Sequence, residues 1–379
     1  MVVVKSVAAK HLLDSRGEKT ILVSINTNTG KFSASAPNGK SRGKHEAASY
    51  RSSLEKDIET IKNFSDYFSD EVIDEFNDLR RIEDVVEGHI GANTVFALES
   101  AILKAVAKEK KKEVWQLINP NAKKFPRLVG NCIGGGKHST GKKPDFQEFL
   151  LIPKTNSVKE AFEMMKNAKK NVFYDLKKKD EKFDEKKNDE DAWKTGLTEK
   201  EVLDILSSQK IPLGVDVAAS SFYKRKKYHY QNPMLERTKE EQLFYVSNLI
   251  KNFQLFYIED PFDEEDFAGF SLLLKKFPDA LIVGDDLTVT NLKRFQKAVE
   301  SKSINAIIVK PNQNGSLIQV KNVCEFAKKK GIKIVFSHRS GETDESILAD
   351  LAFGFGADFF KCGITGKERE VKIMQKKMI

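Results

Sequence analysis

The sequence predicts an α/β protein in which a C-terminal βα barrel, residues 121–379, follows a smaller α+β domain, residues 1–120. Three observations lead to this prediction. Residues 2–36 alternate between apolar and polar side chains, as β-strands do, and residues 93–118 carry apolar side chains at helical spacing. After these segments, short apolar runs recur, and a stretch of helical pattern follows each of them, which is typical of βα repeats.

The N-terminal elements follow from local patterns. The stretch TILVSINTNTGKFSASAP is typical of a β-hairpin that turns around residues 28–30. Residues 93–118 are predicted to form one helix that begins at Asn93, because asparagine is a good N-cap residue. This region ends near Asn119-Pro120, so the first third of the chain is predicted to be a small sheet packed on helices.

The apolar runs of the second region end in polar residues at regular intervals. The runs are FLLIP, IPLGVDVA, LFYIEDPF, ALIVGDDLT, AIIVKPNQ, KIVFSHRS and DFFKCG. Five strand ends carry Glu259, Asp285, Lys310, His338 and Lys361, and the differences between their successive numbers are 26, 25, 28 and 23. This spacing suits one strand, one helix and two loops, and it predicts a parallel sheet or a closed βα barrel. In a barrel these residues share one mouth, where barrel enzymes have their active sites.

The charge pattern favours a solvated surface over a nucleic-acid interface. The net charge is +9, but the lysines are mixed with acidic residues, as in KEKKKEV and KKKDEKFDEKK. Aromatic residues do not alternate with the lysines of these runs, and basic charge without an element that contacts bases gives only salt-sensitive adhesion. Nucleic acid is therefore not an expected partner.

The chain is expected to be a cytoplasmic protein. The first residues, MVVVKSVAAK, lack the pattern of a secretory signal, and we find no apolar run of about 18 residues, so neither export nor membrane insertion is predicted. Cys132, Cys324 and Cys362 are far apart and have neither metal-site spacing nor a disulfide framework. We expect them to be small core residues in a reducing compartment.

Three carboxylates end successive apolar strands. Asp216 follows GV, Glu259 follows YI, and Asp285 follows IVG. Carboxylates that meet at one barrel mouth need a cation, and ligands that are all oxygen suit a hard ion such as Mg²⁺. The alternative is that each acid caps a helix or pairs with a lysine. For any single one of these acids a cap or an ion pair is the better interpretation, whereas three acids at the ends of successive strands favour a metal site.

The next strand ends carry cations. Lys310 and Lys361 face the predicted metal, and a lysine near another positive charge can have its pKa lowered far enough to act as a base; the alternative is a structural ion pair with the acids. Arg339 and Ser340 supply a fork of donors and a hydroxyl that suit a phosphate. His338, considered alone, is better interpreted as a core histidine whose hydrogen bonds are satisfied. Together, acids and lysines indicate proton removal next to a carboxylate, with a metal to stabilise the enolate.

Motifs along nearly the whole chain resemble those of the enolases. The motifs are LLDSRGEKTILV, PNGKSRGKHEA, QEFLLIP, IEDPFDEEDF, VGDDLTVTN, VKPNQNGS, SHRSGETDES and KCGITGKERE. The resemblance implies an enolase-type βα barrel and the reversible dehydration of 2-phosphoglycerate to phosphoenolpyruvate, a step of glycolysis and gluconeogenesis. It also implies Mg²⁺ as cofactor and a homodimer or a larger homo-oligomer.

The resemblance assigns roles to individual residues. It makes Lys310 the base, Glu190 the acid, and Lys361 the partner of the substrate carboxylate. It places the first Mg²⁺ on Asp216, Glu259 and Asp285. The other residues that it places around the substrate, its phosphate or a second Mg²⁺ are Arg339, Ser340, His338, His138, Gln147, Glu148 and Ser41.

The loop of the acid departs from the family pattern. Enolases have GDEGG there, whereas this chain has KKKDEKFDEKKNDEDAWKTGLT, with three Asp-Glu pairs. Glu190 is the choice because Trp193 stands where the family has an aromatic residue and Thr198 can cap the following helix; Glu181 and Glu185 remain alternatives. Asp191 and Ala192 replace glycines, so the left-handed backbone conformation is expected to be lost and the acid to be held differently or not at all.

A first mobile loop departs as well. PNGKSRGKHEA keeps Ser41, which the resemblance assigns to the second Mg²⁺, but introduces Lys40 and Arg42. This added charge could attract substrate or hinder closure of the loop.

The predicted function is therefore a magnesium-dependent lyase. The first alternative is an enolase-like paralogue that has lost turnover and acts as a binding or structural protein, which the altered acid loop suggests. The second is a barrel enzyme for another phosphorylated or carboxylated hydroxy acid.

Overall fold

The N-terminal strands form an antiparallel sheet in the order β3-β2-β1-β4. The computed structural model describes residues 1–40, 42–64 and 71–375. The strands are β1 (Val2–Leu13), β2 (Lys19–Thr27), β3 (Gly30–Ser35) and β4 (Val72–Ile73). The predicted hairpin is confirmed, because Thr27 pairs with Gly30 across the turn between β2 and β3. Buried residues alternate along β2, so one face of the sheet is covered.

Helices cover that face. They are α1 (Leu54–Asn63), α2 (Leu79–Val86), α3 (Ala92–Glu109) and α4 (Val114–Ile118). Helices α1 and α3 contact the sheet, while α2 and α4 pack on α3. Helix α3 is buried along almost its whole length, because it lies between the sheet and the barrel.

The prediction of one helix over residues 93–118 is wrong. Helix α3 ends at Glu109 and α4 begins at Val114. Between them Lys111 has a φ of 53°, in the left-handed region, which ends a helix. Residues 109–113 are EKKKE, so they have no apolar side chain with which to continue the buried face of the helix.

The predicted N-cap at Asn93 is also wrong. Gly91 occupies the cap position, and Asn93 lies inside α3 with its side chain fully buried. Its amide donates to Asn38 Oδ1 at 3.1 Å and accepts from Asn312 Nδ2 at 2.9 Å. A polar residue that was predicted to begin a helix therefore joins the N-terminal region to the barrel.

The second region is a closed barrel of eight strands among the described residues, in the order β5-β6-β7-β11-β12-β13-β14-β15. In chain order, the strands of the second region, including three that lie outside the barrel, are β5 (Arg127–Gly134), β6 (Glu148–Leu151), β7 (Leu213–Asp216), β8 (Tyr223–Lys224), β9 (Lys227–Gln231), β10 (Met234–Arg237), β11 (Tyr257–Glu259), β12 (Leu281–Gly284), β13 (Ala306–Val309), β14 (Lys333–Ser337) and β15 (Phe359–Lys361). Strands β8 to β10 form a separate antiparallel sheet. The predicted fold class is confirmed.

Strand β6 differs from the predicted parallel pattern. It pairs antiparallel with β5 and with β7, whereas β7 and the following barrel strands pair in parallel. Glu148 begins β6 and lies opposite Asp216, which ends β7. The reversal brings the first residue of β6 to the mouth at which the other strands end.

Helices surround the barrel and bury its outer face. They are α5 (Val158–Lys179), α6 (Glu199–Ser207), α7 (Lys239–Phe253), α8 (Phe267–Lys276), α9 (Leu292–Glu300), α10 (Leu317–Lys330), α11 (Ile347–Gly354) and α12 (Lys367–Ile373). Alternate strand residues such as Val129, Ile308 and Val335 fill the barrel interior, and the intervening ones pack against the helices.

The cysteines are buried free thiols, as predicted for core residues. Within the part of the chain that the structure describes, no helix has both the length and the apolar character needed to cross a bilayer.

Candidate active site at the barrel mouth

One buried cavity at the barrel mouth joins most of the predicted residues. It is lined by Gly39, His138, Gln147, Glu148, Glu190, Asp216, Ala218, Asp260, Asp285, Asp286, Lys310, Ser337, His338, Arg339, Ser340 and Lys361. Glu259 is not among the lining residues, but its carboxylate accepts a hydrogen bond from Lys361, which is. Ser41 lies outside the described residues. The strand ends meet because β7, β11 and β12 are neighbours in the barrel, as are β13, β14 and β15.

Lys361 lies at the centre of three buried carboxylates. Its Nζ is 2.8 Å from Glu259 Oε2, 3.0 Å from Asp216 Oδ2 and 3.2 Å from Glu148 Oε2. Burial alone lowers the pKa of Lys361, but the three carboxylates raise it more. Burial and the charge of Asp216 raise the pKa of Glu259 to about 8. This part of the site can therefore hold a proton as well as a cation.

Lys310 forms an ion pair with Asp285. Burial lowers its pKa, but Asp285 raises it more, so the net shift is upward. The sequence predicted the opposite direction, because it counted a metal and a second ammonium as the neighbours of Lys310. In the structure, the nearest charged partner of the Lys310 ammonium is the carboxylate of Asp285.

A second acidic cluster was not predicted. Asp260, Asp285 and Asp286 have carboxylate oxygens within 4.8 Å of one another. Asp260 also accepts hydrogen bonds from the main-chain N–H groups of Asp285, at 3.0 Å, and Asp286, at 2.7 Å. Burial and Asp285 raise the pKa of Asp286 to about 8. The signal was present in the sequence, since Asp260 and Asp286 each follow a residue that was singled out.

These carboxylates suit a divalent cation. Buried acids outnumber the lysine and arginine side chains that line the cavity, and burial together with mutual repulsion raises the pKa of several of them. Oxygen donors without nitrogen or sulfur favour a hard metal ion. Asp285 belongs to the close cluster, whereas Asp216 and Glu259 lie on the Lys361 side.

The predicted phosphate clamp contacts the N-terminal region. Two oxygens of Glu46 accept from Arg339 Nη2 at 3.1 and 3.0 Å, and Asn312 Oδ1 accepts from Nη1 at 3.3 Å. The hydroxyl of Ser340 accepts from the main-chain N–H of Lys40 at 2.9 Å. A carboxylate thus occupies the arginine fork in a way that an anionic substrate group could replace.

The opposite part of the cavity holds His138, Glu148 and Glu190, whose ligand atoms lie within 4.8 Å of one another. Glu190 Oε2 accepts from Asn131 Nδ2 at 3.0 Å, and Glu190 Oε1 is 3.4 Å from His138 Nδ1. Burial, and then the charge of Glu190, raises the pKa of Glu148 well above its usual value. Burial raises the pKa of Glu190 as well, but the charges of His138 and His338 lower it more, so the pKa of Glu190 lies well below its usual value. Of the two carboxyl groups, Glu148 is therefore the favoured proton carrier.

The predicted obstacle in the acid loop is absent from this structure. Asp191 has a φ of 61°, so it adopts the left-handed conformation that the loss of glycine was expected to prevent. The side chain of Asn188 stabilises the turn, because its Oδ1 accepts from the main-chain N–H groups of Glu190 and Ala192, both at 3.0 Å. Thr198 caps α6 through a capping box, as predicted.

Comparison with known proteins shows the family. The profile for "Enolase, N-terminal domain" matches residues 4–118, and that for "Enolase, C-terminal TIM barrel domain" matches residues 122–377. The chain is 35% identical to an enolase of Methanosphaera stadtmanae over 98% of this chain and 95% of the relative. It is 34% identical to an enolase of Pyrobaculum aerophilum over 96% and 93%, and 34% identical to one of Archaeoglobus fulgidus over 98% and 95%. With both domains matched and the strand-end residues gathered at one mouth, the chain belongs to the enolase family.

Proposed function

We propose that the protein catalyses the reversible, magnesium-dependent dehydration of 2-phosphoglycerate to phosphoenolpyruvate, as a phosphopyruvate hydratase. One observation carries this proposal. Lys310 follows β13 and Glu148 begins β6, and these strands are four positions apart in the closed order of eight. The base Lys310 and the proton carrier Glu148 therefore approach the cavity from opposite sides, which suits an elimination that removes a proton and hydroxide from adjacent carbons.

The metal is proposed to bind at Asp216, Glu259 and Asp285. A divalent cation held there would supply positive charge to offset the negative charge that develops when the carbon-2 proton is removed. Lys361 contacts two of these carboxylates, those of Asp216 and Glu259, so it is suited to bind the substrate carboxylate beside them.

Proton transfer is assigned to side chains of the chain itself. Lys310 takes the proton from carbon 2 in its neutral form, which requires that its ion pair with Asp285 be given up. Glu190 is assigned the transfer of a proton to the hydroxide that leaves carbon 3, and Glu148, whose ligand atom lies within 4.8 Å of that of Glu190, is the proposed source of this proton. Arg339 and Ser340 bind the phosphate once Glu46 has left the arginine fork.

A dehydration assay tests this function. With Mg²⁺ the protein should convert 2-phosphoglycerate, and chelation should abolish the conversion. Lys310→Ala should lower kcat by at least about 10³-fold, because the base is lost. Lys293→Ala, which removes an exposed lysine of α9, is the matched control and should behave as wild type. Full activity after chelation, or in Lys310→Ala, would contradict the proposal.

The alternative of an impaired paralogue predicts binding of 2-phosphoglycerate without turnover. The burial of Glu190 at the cavity, beside His138, argues against it. A homo-oligomer and a cytoplasmic location remain predictions.

A further inference from the structure

The loop that carries Glu190 adopts a backbone conformation that needs support. Asp191 follows Glu190 directly, and its φ of 61° is disfavoured for a residue with a Cβ atom. Lys187 Nζ lies 2.8 Å from Asp191 Oδ1, but Lys187 is part of the same loop and its side chain is 41% exposed. Asn188, which stabilises the turn, belongs to the same loop too, so a contact that ties Asp191 to another element of the fold comes from other residues.

Lys169 of α5 supplies such a contact. Its side chain is 5% exposed, and its ammonium group lies 3.0 Å from Asp191 Oδ2. The same group donates to the main-chain oxygen of Asp191 and to the hydroxyl of Thr365. The Thr365 hydroxyl in turn donates to the Asp191 carboxylate. Lys169, Asp191 and Thr365 thus form a closed network.

This network joins the acid loop to two rigid parts of the barrel. Helix α5 packs on β5, the strand that also carries Asn131, the hydrogen-bond donor to Glu190. Thr365 lies four residues after Lys361, which ends β15. Lys169 itself does not line the cavity, so it can affect the reaction only through the residues that it holds.

We propose that Lys169 is a positioning residue that fixes Glu190 at the cavity by binding Asp191 and Thr365. The inference rests on the proposed function and deepens it. A buried ammonium needs paired oxygens, and here they all belong to the acid loop or to Thr365. The anchoring contact thus replaces the conformational freedom that glycine would give this loop.

Kinetics of Lys169→Met test the inference, because methionine keeps much of the apolar stem and removes the ammonium. We expect kcat for elimination to fall on the order of 10²-fold, as expected for a slightly displaced catalytic group. KM for 2-phosphoglycerate and the exchange of the carbon-2 proton with solvent should stay unchanged, because they depend on other residues. In a Glu190→Gln background, Lys169→Met should cause no further loss. Thr365→Val should act in the same direction, more weakly.

Lys170→Met is the matched control, since Lys170 is the next residue of α5 and is exposed. It should behave as wild type. Equal loss of proton exchange and elimination, a loss that adds to that of Glu190→Gln, or a wild-type rate would overturn the inference. Should Lys169→Met fail to fold, the elimination rate and the proton exchange of Thr365→Val, alone and combined with Glu190→Gln, test the inference instead. A wild-type protein that neither exchanges the proton nor eliminates hydroxide would overturn the proposed function, and the inference with it.

Discussion

Arg339 shows how one residue serves two states of the site. Its guanidinium group is 4% exposed and is held by Glu46 and Asn312. The residue cannot lose its charge, so it must always have an anionic or polar partner. Glu46 meets this need in the present arrangement, and a phosphate would meet it in the proposed complex. The close contact with Gly39 limits where the guanidinium can move.

Gly39→Ala should therefore weaken substrate binding. An added Cβ would lie 2.6 Å from Arg339 Cζ, so the guanidinium must shift. We expect KM for 2-phosphoglycerate to rise by about tenfold, which corresponds to about 1.4 kcal/mol, with little change in stability. Steady-state kinetics measure it. Gly196→Ala is the control, because a Cβ there would make only ordinary contact, 3.6 Å from Lys142 Cδ. An unchanged KM would contradict the role of Gly39.

At the scale of elements, α3 and β6 position parts of the site that a regular βα pattern would misplace. The reversed β6 brings Glu148 to the mouth. Helix α3 contacts the loop after β13 through Asn93, and its Glu99 Oε2 accepts from the main-chain N–H of Leu317, the first residue of α10, at 2.6 Å. A carboxylate at a helix N-terminus is favourable, but this one is fully buried.

Glu99 should make folding stability depend on pH. Burial, and then the charge of Glu83, raises its pKa well above the usual 4.5. The folded protein therefore binds a proton that the unfolded chain has lost, and this contribution to stability decreases as pH rises from about 4.5 through the raised pKa. Glu99→Gln keeps the acceptor and removes the titration.

Denaturation at pH 5 and pH 8 measures this difference. Relative to wild type, Glu99→Gln should be more stable at pH 8 than it is at pH 5. The exposed Glu300→Gln is the control and should show the same difference from wild type at both pH values. A Glu99→Gln effect that is independent of pH would contradict the prediction.

At the scale of the whole molecule, the two regions close the site together. Lys44 of the N-terminal region lies 3.1 Å from Glu264, and His45 lies 2.6 Å from Glu265, both on the loop after β11. Lys40, a departure noted in the sequence, lies 2.6 Å from Asp189 in the acid loop. Lys40 thus joins the first loop to the acid loop. Its effect on substrate attraction and on closure of the first loop remains a prediction.

Metal binding should stabilise the whole protein, and more at pH 8 than at pH 6. Without metal, Glu259 has a pKa of about 8, so at pH 6 a bound cation must displace its proton. At pH 8 a larger fraction of Glu259 is already deprotonated, so less free energy is spent on releasing the proton. Mg²⁺ should therefore raise Tm by more at pH 8 than at pH 6. Thermal unfolding with Mg²⁺ or with a chelator measures it. Asp216→Asn should lose most of the increment. An increment that is larger at pH 6 would contradict the prediction.

The sequence indicated βα units and the polar residues at their strand ends, because apolar runs with polar ends repeat at a length that suits such units. The spacing left a parallel sheet or a closed barrel open, and the resemblance to the enolases implied the barrel. The sequence also determined the hairpin of β2 and β3 and the cap of α6, which depend on neighbouring residues. The division at residue 120 remains a prediction.

Only the tertiary structure decided the features that depend on distant partners. The reversal of β6, the burial of Asn93 and the pairing of Lys310 with Asp285 each involve residues from different elements. The left-handed Asp191 is held in part by Lys169 and Thr365, 22 and 174 residues away along the chain. Local sequence preferences cannot specify such contacts, because their free energy is gained only when the chain has folded.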